Sequence, residues 1–129
     1  MQLNVNLDQG FDQILFQLSK GNTIEGLKKG KFWTGFEKVK EWKSQFGYHF
    51  HIYSNDHFID NKPHFHLLKD SERIDCRVFF DGKFYDCKWP NKLDKKMINA
   101  LEYFLWHPHI QKILFDLWNL KNPKYFIEN

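Results

Sequence analysis

Asp81-Gly82, set between two alternating runs, is the feature that most constrains this chain. A type I′ turn needs positive φ at both central residues, which Asp-Gly tolerates, so residues 73–80 and 83–89 are predicted to close as a β-hairpin. A two-residue loop pairs Phe80 with Lys83 and thereby sets every pair behind it. On one face Arg77 then meets Asp86, Asp75 meets Lys88 and Phe79 meets Phe84. On the other, Ile74 meets Trp89, Val78 meets Tyr85 and Cys76 meets Cys87. Opposite charges on one side and apolar pairs on the other agree with that register. In such a uniform ladder Cys76 and Cys87 fall on a hydrogen-bonded pair, where Cβ atoms diverge, so two buried thiols are expected.

Two more alternating segments precede the hairpin. In residues 48–54, Tyr48, Phe50 and Ile52 share one side, and His49, His51 and Tyr53 the other. In residues 63–68, Phe65 and Leu67 oppose His64 and His66. A tight connection through Asp70 and Ser71 sets Leu67 against Ile74 and Phe65 against Cys76 on the apolar side. His66 then faces Asp75, and His64 faces Arg77, on the polar side. The fold class expected is therefore α+β: a four-stranded antiparallel meander over about residues 48–89.

Helical periodicity brackets the meander. Met97, Ile98, Leu101, Phe104 and Leu105 form one apolar stripe. Ile110, Ile113, Leu114, Leu117 and Leu120 form another, opened by Pro108 and stopped by Pro123. Both suit the sheet's apolar face. Upstream, residues 3–7 alternate as a short strand would. Asp8 is then placed to cap a helix carrying Phe11, Ile14, Leu15 and Leu18 that stops near Gly21. Thr34-Gly35-Phe36-Glu37 reads as a capping box for a helix through Val39, Trp42 and Phe46, ending at Gly47. The 129 residues form one domain in this reading. Residues 1–46 are a helical N-terminal elaboration and 47–122 are the core.

Composition excludes several classes. No apolar run approaches the roughly 18 residues of a membrane span, and no signal pattern opens the chain. Two cysteines are too few for a disulfide scaffold, and a cytoplasmic protein without membrane association is expected. A net charge of +3 permits an acidic partner without marking nucleic acid. The lysines between Lys28 and Lys43 are interrupted by Glu37 and Glu41, as on a solvated helix face.

The chemistry-bearing residues cluster. Five of the seven histidines lie between His49 and His66. Residues two apart on a strand share a face, so His49 pairs with His51 and His64 with His66. Asp56 and His57 fall in the loop between. One reading is a metal site drawn from His49, His51, His57, His64 and His66, since imidazoles with a carboxylate suit zinc, iron or nickel. A second is general acid–base catalysis, with His64, His66, His57 and Asp56 as proton carriers and Arg77 stabilising developing negative charge. A third is a non-catalytic module whose sheet face or edge docks another protein. Phosphate-binding glycine loops, nucleophile elbows and paired-cysteine motifs are absent from the sequence. His107 and His109 flank Pro108 at a helix junction, where capping is the ordinary role.

Asn55-Asp56-His57, then Pro63-His64-Phe65-His66, then Asp81-Gly82 and helices reaching Trp118, resemble a family of small bacterial proteins, domain of unknown function 4160. Its members typically read Asp-His, a few residues, then Pro-Pro-His-Phe-His. The resemblance covers about residues 48–120. It differs in a longer loop, a single proline before His64 and the extra N-terminal segment. By position it makes Asp56, His57, Pro63, His64 and His66 motif residues. It also implies gene contexts like those of toxin–antitoxin pairs, hence a cognate small protein as partner, while the acid–base reading adds RNA as a candidate substrate. The function expected is a toxin–antitoxin-type or defence-associated protein using its histidine-bearing face.

Overall fold

The alternating centre of the chain folds as a four-stranded antiparallel sheet in chain order. The strands are β1 (His49–His51), β2 (His64–Lys69), β3 (Ile74–Phe79) and β4 (Phe84–Cys87). The computed structural model describes residues 3–29, 45–54, 62–87 and 93–128. The expected helix from Thr34 through Val39 and Trp42 falls almost wholly outside them, as do the partners Lys88 and Trp89. Helices α1 (Leu3–Ser19), α2 (Ile24–Lys29), α3 (Lys95–Leu105) and α4 (Pro108–Lys121) complete an α+β domain. No helix among the described residues is long and apolar enough to cross a membrane.

The inner face of the sheet carries Phe50, Phe65, Leu67, Cys76 and Val78, all buried. Helices α3 and α4 cover it with Leu101, Phe104, Ile110 and Leu114, as the apolar stripes require. Helix α1 joins them as a full member of the core. Its Phe11 ring lies 5.5 Å from Tyr48, 5.6 Å from Phe50 and 5.6 Å from Phe104. Phe50 also meets Phe65 at 5.1 Å and Phe104 at 5.3 Å, so aromatic bulk joins sheet and helices at one centre.

Four expectations about α1 and the turns are corrected. Residues 3–7 are helical, because Leu7, Phe11, Ile14, Leu15 and Leu18 extend one helical stripe that outweighs a short alternation. Asp8 is therefore no cap. It lies buried in mid-helix and accepts from the Phe50 amide at 2.7 Å, while Asp12 accepts from Gln45 and Phe46 at 3.1 and 3.0 Å. These carboxylates satisfy backbone donors in and just before β1, at the outer edge of the sheet.

The β2–β3 connection is a 3₁₀ turn, Asp70–Glu72, closed by Arg73 at φ 53°. It is longer than the tight loop expected, and the register slides by two residues. Leu67 faces Cys76, Phe65 faces Val78, His66 faces Arg77 and His64 faces Phe79. A slide of two leaves every side chain on its expected face.

The hairpin turn holds three residues rather than two. Phe79 donates to Lys83 O at 2.9 Å, Gly82 donates to Phe79 O at 2.9 Å, and Gly82 takes φ 94°. Gln111 pins this tip to the helix junction, donating to Phe80 O at 2.8 Å and Leu105 O at 2.7 Å. A bulge then compensates the longer turn: Val78 pairs with Phe84, whereas Arg77 still pairs with Asp86 and Cys76 with Cys87. Tyr85 is the extra residue and leaves its expected place opposite Val78.

The cysteines correct another expectation. Cys76 and Cys87 are joined as a disulfide with Cα atoms 3.9 Å apart. The bulge resets the alternation of the ladder, and that separation belongs to the closer, non-hydrogen-bonded type of pair. Cys76 faces Cys87 as expected, but the pair type differs, and nearer the turn the register is shifted by one.

Candidate functional site

One cross-strand row runs over the outer face of the sheet. His51 on β1 pairs with His66 on β2, His66 with Arg77 on β3, and Arg77 with Asp86 on β4. Directly paired residues share a face, so one row aligns two imidazoles, a guanidinium and a carboxylate. The Arg77 Nε donates to Asp86 Oδ1 at 2.6 Å and its Nη2 to Asp86 Oδ2, a two-point grip that holds the guanidinium plane. Their side chains remain 21 % and 40 % exposed.

Aromatic rings flank both ends of the row. The Tyr53 ring lies 4.1 Å from His51 and 4.5 Å from His66. Tyr85 lies beneath Arg77, with the guanidinium carbon 4.7 Å from its ring centroid, and remains 47 % exposed. The bulge makes this contact possible: an even ladder would have placed Tyr85 on the inner face. Beside the row, His66 Nδ1 sits 3.4 Å from Asp75 Oδ1. A carboxylate at Nδ1 orients an imidazole.

Two of the predicted residues are less accessible than a solvent-facing pattern implied. His64 is 0 % and His66 4 % exposed. His64 packs 5.6 Å from the His66 ring and 5.6 Å from Trp118 of α4, so α4 reaches around to part of this face. Arg77 borders His66 rather than His64, because of the two-residue slide.

The remaining candidates separate. His49 turns to α1, its Nδ1 3.1 Å from Asp8 Oδ2. Burial raises the Asp8 carboxyl above its ordinary value, against the lowering effect of the Phe50 amide and His49. Asp56 and His57 lie outside the described residues. Among the described residues, no three His, Cys, Asp or Glu side chains group as a metal site requires. His107 donates its Nδ1–H to Tyr103 O at 3.0 Å and makes no side-chain cap for α4. Desolvation lowers its affinity for a proton.

Sequence reasoning placed Tyr53 on the histidine face without giving it a role, and missed Tyr85 and Trp118. Tyr53 was legible from its alternation with His49 and His51. Tyr85 was not, because nothing local signals the bulge. Compared with protein-family models, curated proteins and solved structures, the chain finds no match in any of the three.

Proposed function

We propose that this is a small toxin–antitoxin-type or defence-associated protein that cleaves single-stranded RNA on the outer face of its sheet. The observation that carries the reading is the row His51–His66–Arg77–Asp86, flanked by Tyr53 and Tyr85. Single-stranded RNA is held by aromatic rings that stack bases and by cations that meet phosphate, and this face interleaves both. The likeness of Asp56-His57 and Pro63-His64-Phe65-His66 to a bacterial family with toxin–antitoxin-like gene contexts supports the same reading. It also supplies a cognate small protein as the natural inhibitor and the cytoplasm as the place of action.

The chemistry needs no added group. His66, oriented by Asp75, takes the proton of a ribose 2′-hydroxyl as its oxygen bonds to the adjacent phosphorus. The bond from phosphorus to the 5′-oxygen breaks, and His51 gives that oxygen a proton. Arg77 faces the charge building on the phosphoryl oxygens. His64 packs behind His66 and positions it.

The test is cleavage of a labelled single-stranded RNA by the purified chain in the presence of a chelator. Products ending in a 2′,3′-cyclic phosphate are expected, with a loss of roughly 100-fold or more in His51→Ala and His66→Asn. Intact RNA, or cleavage that survives both substitutions, refutes the proposal.

A further inference from the structure

A cleft of about 760 Å³ opens at the hairpin end of the sheet, between the β3–β4 turn, α3 and the start of α4. Pockets that hold small molecules span roughly 300–1,000 Å³, so it is large enough for a nucleotide. Phe79, Asp81, Lys83, Glu102, Trp106 and Lys62 are among the residues that line it. Each of them answers a different part of one ligand.

Phe79 connects the cleft to the row already described. It stands two residues beyond Arg77 on β3, hence on the same face, and its ring lies 6.2 Å from Tyr85. A strand running over Arg77 would reach the cleft with its next unit. Trp106 is 65 % exposed at the end of α3, an indole left to water where burial was available to its neighbours Phe104 and Leu105. An exposed indole beside a cleft is a stacking surface for a flat ring.

The charges divide in the same way. The Lys62 ammonium lies 5.5 Å from the Phe79 centroid, and Lys83 is exposed at the turn. Both suit a phosphate at the mouth. The carboxylates of Asp81 and Glu102 supply only acceptors. Asp81 Oδ1 already takes the Lys83 amide at 2.9 Å. Glu102 lies against the turn: a Cβ on Gly82 would stand 3.6 Å from Glu102 Cγ. A flat ring read by these carboxylates must present donors, and the edge that offers two adjacent donors to one carboxylate is the N1–H and amino group of guanine. Uracil offers one.

We infer that this cleft is the subsite that selects a guanine base in the RNA strand, stacked on Trp106 and read by Glu102. The inference rests on the RNA reading above and gives it a sequence preference. Only an unpaired base exposes that edge, so the substrate is single-stranded.

The test is calorimetric titration of the full chain with 5′-GMP, 5′-AMP and 5′-UMP, repeated on Glu102→Gln and Trp106→Ala, each checked for an unchanged thermal midpoint. GMP is expected to bind at least roughly tenfold more tightly than UMP, the scale of one good two-point base contact. Glu102→Gln should erase most of that ratio, and Trp106→Ala should weaken all three nucleotides together. Equal affinities, no nucleotide binding, or indifference to both substitutions overturns the subsite. The two readings fail separately. RNA cleavage without mononucleotide binding removes the subsite and leaves the catalytic face. GMP binding through Glu102 with RNA left intact keeps the subsite and removes the cleavage.

Discussion

Truncating His64 to Ala tests whether the histidine face is surface or interior. The imidazole is fully buried and has ring neighbours on two sides, His66 and Trp118, each at 5.6 Å. Buried Leu-to-Ala changes cost about 2–5 kcal/mol, and an imidazole is somewhat smaller than an isobutyl group. Scaled to that smaller size, the loss is about 2–4 kcal/mol. For a chain of this length that lowers the thermal midpoint by roughly 8–16 °C. Urea unfolding followed by circular dichroism measures the loss, with His51→Ala as the control. His51 is only half-buried, so its loss should cost less than about 1 kcal/mol. A His64→Ala chain within about 0.5 kcal/mol of the parent would place His64 in water and refute the packing of α4 against this face.

Four further outcomes follow from the same structure. Phe104→Ala, which removes a buried ring touching Phe11 and Phe50, should cost about 3–5 kcal/mol in urea unfolding. Reducing Cys76–Cys87 opens a link across 11 positions and should lower stability by about 2–3 kcal/mol, measured with and without reductant. A double-mutant cycle on Arg77 and Asp86 should give a coupling of about 1–2 kcal/mol, above that of an exposed pair because the grip is two-point and partly buried; a coupling near zero would contradict it. Asp8 has a folded-state pKa above its ordinary, unfolded-chain value, because burial disfavours the carboxylate. Between those two values the native chain binds more protons than the unfolded one, so the Asp8 contribution falls as pH rises through that window. Asp8→Asn keeps an acceptor for the Phe50 amide, so it should remove that decline, and a steeper decline would show the reasoning wrong.

How much could be read from sequence depended on which errors parity forgives. The faces of β2 and β3 were legible, since Phe65, Leu67 and Val78 alternate against His64, His66 and Arg77, and a slide of two preserves that division. The pairing of Cys76 with Cys87 was legible only because a turn one residue longer and a bulge one residue deep cancel. The disulfide was not, because the same bulge exchanges the two kinds of pair. Leu3 to Leu7 were misread because a window of five residues cannot separate a strand from the first turns of a helix. The burial of His64 had no local sign at all. A histidine in an alternating strand reads as surface, and the Trp118 that covers it lies 54 positions away.

The departures from an ideal meander are not scattered evenly over the molecule. The longer β2–β3 turn moves Arg77 from His64 to His66. The β4 bulge moves Tyr85 out of the inner face and under the Arg77 guanidinium, while keeping Asp86 opposite Arg77. The next residue, Cys87, returns to the inner face and ties that short edge strand to β3. So β4 holds the cation's partner on one side and a covalent anchor on the other, within four residues. A regular ladder with the same composition would bury Tyr85 against Val78 and leave His66 facing Asp75 alone. Each irregularity instead brings a charged or aromatic group towards His66. Strands that break local rules without repair are destabilised, whereas here the bulge is secured by a disulfide and a two-point ion pair. Irregularity that is both costly and secured is what a site requires, and it is concentrated around the His66–Arg77 pair.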